Sequence, residues 1–130
     1  MRLALRLTSV LLSLVRIVEI LAFAGLLCGC NLCGNKIGYE EKSPSGKLKA
    51  VVFERDCGAT TGFTTHVSIL PNNDTLQNQP GNSFIGKGDL SIRLKWESDG
   101  KLVLTYPQGA QIDLKQDTEN GVSVRYEASP

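Results

Sequence analysis

Between Leu90 and Tyr106 the chain reads LSIRLKW, ESDGK, LVLTY, so that apolar and polar residues alternate with a period of two on both sides of an Asp-Gly pair. A period of two suits a strand with one buried face, and no helical stripe of period 3.6 can be drawn through it. Asp99-Gly100 is among the strongest short hairpin signals, so the two segments should fold back on one another. Leu90, Ile92, Leu94 and Trp96 then face inward while Ser91, Arg93 and Lys95 face out. On the return strand Leu102, Leu104 and Tyr106 share one side.

The same pattern recurs along the chain. AQIDL places Ala110, Ile112 and Leu114 on one face, and VSVRY does the same for Val122, Val124 and Tyr126. LKAVVFER, residues 48–55, is almost continuously apolar and β-branched, which predicts a central strand covered on both faces. FTTHVSIL, residues 63–70, follows it, and KIGYEEK, residues 36–42, reads as a weaker first strand. At SPSGK, Pro44 presets φ for a turn and Gly46 can take the left-handed position. The phrases PSGKLKAVVF and SDGKLVLTY look like repeated hairpin units, but a propeller needs at least about four blades of about 40 residues, more than this chain holds.

Residues 71–88, PNNDTLQNQPGNSFIGKG, are rich in Asn, Gln, Gly and Pro and predict a long surface loop, ordered in its Ser83-Phe84-Ile85 portion. The expected fold is therefore all-β: a single antiparallel β-sandwich or flattened barrel of about seven strands. An N-terminal signal helix is expected to precede it.

That segment begins with Arg2 and Arg6 before LTSVLLSLV, and after Arg16 and Glu19 the apolar stretch ILAFAGLLCG runs into Cys30. Basic, then apolar, then small is the order of a secretory signal. Leu27, Cys28, Gly29 and Cys30 resemble a bacterial lipobox. The resemblance implies cleavage between Gly29 and Cys30, a diacylglyceryl group on the Cys30 thiol and acylation of the new amine. It divides the chain into a signal peptide (1–29), a lipidated cysteine with tether and first strand (30–42), and an antiparallel β domain (43–130). Two or three acyl chains hold a protein on a bilayer far better than one. Asn31 stands where an aspartate resembling an inner-membrane retention signal would be, which points to the outer membrane of a host that has one. The alternative, an uncleaved membrane helix, must bury Arg16 and Glu19 at about 2.5 to 3.5 kcal/mol each.

If Cys28 is discarded and Cys30 lipidated, Cys33 and Cys57 remain as a pair in an oxidising compartment, where a disulfide is the natural fate. Two other readings stay open. Cys28, Cys30, Cys33 and Cys57 offer four sulfurs to a metal or cluster, although their spacing is not that of a zinc ribbon and His66 is the one histidine. Cys57 could also be a reactive thiol, with Asp56 opposing and Arg55 favouring its ionisation.

The least generic stretch is RDCGATTGFTTHVSIL, Arg55 to Leu70. Together with Cys33-Gly34-Asn35 and SPSGKLKAVVFE, and more loosely with Gly81-Asn82 and Trp96, it resembles a family of small uncharacterised bacterial envelope proteins that carries a domain of unknown function. The resemblance implies an envelope lipoprotein and lends no activity. Gly58 and Gly62 permit tight bends, and Thr60 and Thr61 suit strand ends and turns. The structural reading of CGATTG is a stapled bend. The functional one is a loop of Gly58, Thr60, Thr61 and Gly62, with His66 near, whose amides and hydroxyls receive an anion or a glycan.

His66 shares a strand face with Thr64 and Ser68, opposite Val67 and Ile69, and reads as an exposed strand histidine. A hydrolase assembled from Thr60 or Thr61, His66 and Asp56 would lack a nucleophile elbow or oxyanion motif. A formal charge of +1 over 130 residues offers no footprint for nucleic acid, and no motif calls for a cofactor or metal. The expected function is a non-catalytic binding or structural module of the cell envelope, held to the membrane by lipid and facing an envelope protein or glycan. An inhibitor or immunity-type protein blocking an envelope enzyme is the alternative, and a small hydrolase using His66 comes after it.

Overall fold

The structure, a computed structural model, describes residues 32–130. The expected signal helix, Cys28 and the lipidation site Cys30 lie outside the described residues. Every regular element within them is a strand: β1 (Gly34–Lys42), β2 (Leu48–Asp56), β3 (Phe63–Pro71), β4 (Phe84–Lys87), β5 (Arg93–Ser98), β6 (Lys101–Pro107), β7 (Ile112–Lys115), β8 (Thr118–Glu119) and β9 (Val122–Ser129).

They form two sheets, one in the order β1-β2-β3-β4-β7 and the other in the order β5-β6-β9-β8. The core lies between them. Ala50, Val52, Val67, Ile69 and Phe84 from the first sheet meet Leu102, Leu104, Val122 and Val124 from the second, with Ile92 beside them. Leu94, Trp96, Tyr106 and Tyr126 pack at the margin, so the period-two faces read from the sequence are the faces that are buried. The sheets are also tied at their edges. Tyr39 Oη donates to the Ile92 carbonyl at 3.0 Å, and Trp96 Nε1 donates to the Glu41 carbonyl at 3.1 Å. At the turns, the Ser45 amide donates to Asp99 Oδ1 at 2.9 Å, so SPSGK and ESDGK dock on each other. That bond holds the exposed Asp99 carboxyl below its ordinary pKa.

Three expectations need correction. Nine strands replace about seven, because β4 and the two-residue β8 are too short to announce themselves. The fold is not wholly antiparallel: β6 and β9 pair in parallel from Lys101↔Ser123 to Pro107↔Ser129. After β6 the chain crosses to the first sheet as β7 beside β4, and it returns through the β8–β9 hairpin, which delivers β9 in the same direction as β6. Asn120 and Gly121 both have positive φ, 49° and 76°, as a two-residue hairpin with native twist requires. Third, residues 71–88 are not one surface loop: the Ser83-Phe84-Ile85 portion is ordered, as expected, but it opens a paired strand, and the segment before it is bonded down as well. Phe84 is fully buried, and β4 pairs with β3 from Thr64↔Lys87 to Val67↔Phe84. In the same region β5 starts at Arg93 rather than Leu90, because Leu90 turns its amide to Thr65 Oγ1 at 2.9 Å as the chain crosses between sheets.

Candidate functional site

β2 is apolar on both faces because both faces are covered. Its inward residues, Ala50 and Val52, join the core. Its outward residues, Val51 and Phe53, are as deeply buried, and they lie opposite Ser68 and His66 of β3. On this side Phe53 stacks against His66, and residues 72–83, the Asn- and Gln-rich connection from β3 to β4, cross the outer face to reach Asn35 of β1 and His66 of β3.

Polar anchors hold this segment at both ends and at its tip. At its start the Asn72 amide donates to the Lys47 carbonyl at 2.9 Å. At its end Asn82 imitates a missing strand: the Ile69 amide donates to its Oδ1 at 2.8 Å, and its Nδ2 donates to the Ile69 carbonyl at 2.9 Å. At its tip Asn35 Nδ2 donates to the carbonyls of Gln77 and Gln79 at 3.0 and 2.9 Å, while Asn78 Nδ2 donates to the Cys33 carbonyl at 2.8 Å. The side-chain oxygens of Asn35 and Asn78 in turn accept from Arg55 Nη1 at 2.6 and 3.0 Å.

Arg55 is only 7% exposed, and its described ion-pair partners number none. Two neutral amides take the place of a carboxylate. Such a cation is costly to leave bare, so the tip of the segment and Arg55 depend on each other.

His66 is 3% exposed, which overturns the expectation of an exposed strand histidine. The alternation placed it correctly with Thr64 and Ser68, but that face is roofed. Its ring stacks on Phe53 with centroids 5.2 Å apart. Nδ1 accepts the Gly81 amide at 2.9 Å, so the proton of the neutral ring sits on Nε2, which lies 2.8 Å from Thr64 Oγ1. Burial first, and then the nearby Arg55 charge, push the imidazole down to about 4, with Asp113 acting weakly the other way. Gly81 has no alternative residue at this contact: a Cβ there would stand 2.8 Å from the Val67 carbonyl oxygen and 2.9 Å from that of Phe84.

The candidate loop of Gly58, Thr60, Thr61 and Gly62 is a different place. Its residues are exposed at the β2–β3 bend. The Gly58 amide caps Asp56 Oδ1 at 2.8 Å, and Thr61 Oγ1 donates to the Gly58 carbonyl at 3.2 Å. Gly58 and Gly62 have φ of 104° and 68°, as the bend requires. A Cys33–Cys57 disulfide closes the β1–β2 ladder one step beyond the Gly34↔Asp56 pair, so neither sulfur is free for a metal or for thiol chemistry. His66 does not join Thr60 and Thr61; it joins Gly81, under the cover. Phe63, next to the bend, is 52% exposed.

Between the cover and β3 lies an open pocket of about 530 Å³. Ser68 and Leu70 form its floor, and Asn73, Asp74, Leu76, Gln79 and Pro80 are among its walls. The sequence offered a signal for it in the Asn/Gln-rich composition of 72–82, but such composition reads equally as solvated loop. The residues of the quoted signature, Asn35, Arg55, His66, Gly81 and Asn82, turn out to be the clamps that hold this pocket's roof. Comparison of the chain with family profiles, with curated proteins and with solved structures found no match.

Proposed function

We propose that the chain is an exported, lipid-anchored protein of the bacterial cell envelope whose β domain is a non-catalytic binding module. The export segment and the lipobox-like LLCGC support the address, with Cys30 as the lipidated residue and a single β-sandwich beyond it. The Cys33–Cys57 bridge suits an oxidising compartment. The quoted signature then belongs to a family of envelope proteins, with the outer membrane as the site where the host has one.

One observation carries the binding role: residues 72–83 are clamped at both ends and at the tip over a preformed pocket. A pocket that is already ordered loses little freedom when a ligand arrives. A hydrolytic role for His66 is disfavoured because Nδ1 is engaged by the Gly81 amide and Nε2 by Thr64.

Mass spectrometry of the mature protein tests the address: an acylated Cys30 is expected, and an intact Met1 refutes it. For the binding role, capture from detergent-solubilised membranes of the native host should return a stoichiometric component, lost when Asn35 and Asn78 are replaced by Ala. A second reading rests on the exposed, disulfide-braced 57–62 bend, which suits an inhibitor that inserts a loop into an envelope enzyme. Loss of an enzyme's activity on adding the protein, reversed by substitution at Thr60 and Thr61, would favour it.

A further inference from the structure

The pocket under the cover has a chemistry of its own. Its lining contains one carboxylate, Asp74, and no Lys, Arg, His or aromatic residue. The remaining polar groups are side-chain amides and hydroxyls, and Leu70, Leu76 and Pro80 supply an apolar patch. Within the described residues the side chains of Asn73, Asp74 and Gln79 make no hydrogen bond, so they are available to a ligand.

Three ligand classes can be separated on these grounds. An anion would meet Asp74 with no cation in the lining to offset it, and Arg55 is committed beneath the cover to Asn35 and Asn78. An extended peptide adding itself to a strand needs free backbone groups at an edge. At the pocket floor the Ile69 amide is taken by Asn82, and its carbonyl by Asn82 and Asn120. A purely apolar ligand would find only the small patch of Leu70, Leu76 and Pro80 and would leave the exposed amides and carboxylate unused. What remains is an uncharged molecule dense in hydroxyls with some apolar C–H surface. A carboxylate accepts from two neighbouring hydroxyls at once, and a side-chain amide both donates and accepts, which matches the dual character of a sugar hydroxyl. The volume lies within the range of small-ligand pockets, about 300–1,000 Å³.

We infer that this pocket binds a neutral saccharide of monosaccharide or disaccharide size, with Asp74 and Gln79 receiving its hydroxyls and Leu70, Leu76 and Pro80 its C–H face. The inference rests on the binding-module reading and gives that module its ligand class. Without an aromatic platform the affinity is modest, and recognition of a longer glycan would draw on repeated contacts.

The test uses the full chain in detergent micelles, titrated separately with glucose, N-acetylglucosamine and lactose, and in further arms with glucose 6-phosphate and an acetylated tripeptide amide. Binding is read by calorimetry and by backbone amide shifts. Saturable binding of at least one neutral sugar is expected, with shifts at residues 68–82. Asp74→Ala and Gln79→Ala should each weaken it about tenfold or more, with an unchanged melting temperature. The absence of saturable binding by all three sugars overturns the inference, as does binding indifferent to both substitutions, or tighter binding of the phosphate or the peptide. A partner captured from membranes in the absence of any sugar binding would leave the binding module standing and remove only its saccharide ligand.

Discussion

The Gly81 amide donates to Nδ1 of His66 at 2.9 Å, so the imidazole is an acceptor toward the cover segment. A protonated ring would present an N–H to an N–H at the same place. The neutral form is therefore the one that fits the fold, and burial and the Arg55 charge both hold it neutral against the weaker opposing pull of Asp113.

Acid should consequently weaken the fold in a defined window. The folded pKa is about 4 against an ordinary value of 6.5, so the unfolded chain binds the extra proton first. The stabilisation from His66 is complete above pH 6.5, declines as pH falls toward 4, and is gone below it. The shift corresponds to about 3 kcal/mol for a wholly buried ring, and to about 2 kcal/mol once solvent screening at the margin of the cover is discounted. Urea midpoints at pH 7, 5.5 and 4.5 should fall progressively in the wild type. In His66→Gln the slope over that window should flatten. The Asp99 contribution, which also disappears in acid, belongs below about pH 4, since its carboxyl is held down from 3.8.

Gly81→Ala should cost about 2 to 4 kcal/mol, because the new Cβ meets two backbone carbonyl oxygens that are fixed in β3 and β4. Gly46→Ala is the control. Its φ of 71° is strained for Ala but its surroundings are open, so about 1 kcal/mol is expected. Equal losses in thermal melts of the two variants would contradict the steric account.

Replacing both Cys33 and Cys57 by Ser should remove about 3.5 kcal/mol, the loop-closure value for a bridge spanning 24 positions. Alkylation of the denatured, unreduced wild-type protein should modify neither residue.

Arg55→Met should be better tolerated than Asn78→Ala, although each side chain makes two hydrogen bonds. The first removes the buried charge together with its need for partners. The second leaves a guanidinium with one amide fewer and should cost about 2 kcal/mol. Hydrogen exchange at residues 77–79 should quicken in both, as the tip of the cover loosens.

The legible part of this molecule is its inward-facing half. Alternation at Leu94, Trp96, Leu102, Leu104, Val122 and Val124 specifies which side chains meet between the sheets, and Asp99-Gly100 specifies where the chain reverses. Alternation reports faces and not strand direction, so the parallel β6–β9 pairing is invisible to it. The Asn120-Gly121 pair carried a hairpin signal that would have separated β8 from β9. The outward half is harder for a physical reason. A roof of Asn and Gln, held by side-chain amides in place of apolar contacts, has the composition of a solvated loop. His66 beneath it consequently reads as a surface residue, while the double-faced apolar run Val51-Val52-Phe53 was the sign that something must lie on both sides.

The bridge across the open end of the first hairpin also decides how the domain would respond to mechanical tension. A pull entering the chain from upstream of Leu32 meets Cys33 before any rung of β1, and passes covalently to Cys57 at the far end of β2. The edge strand cannot then be peeled from its neighbour one hydrogen bond at a time. Tension bypasses the β1–β2 hairpin and loads the 58–62 bend and β3 first.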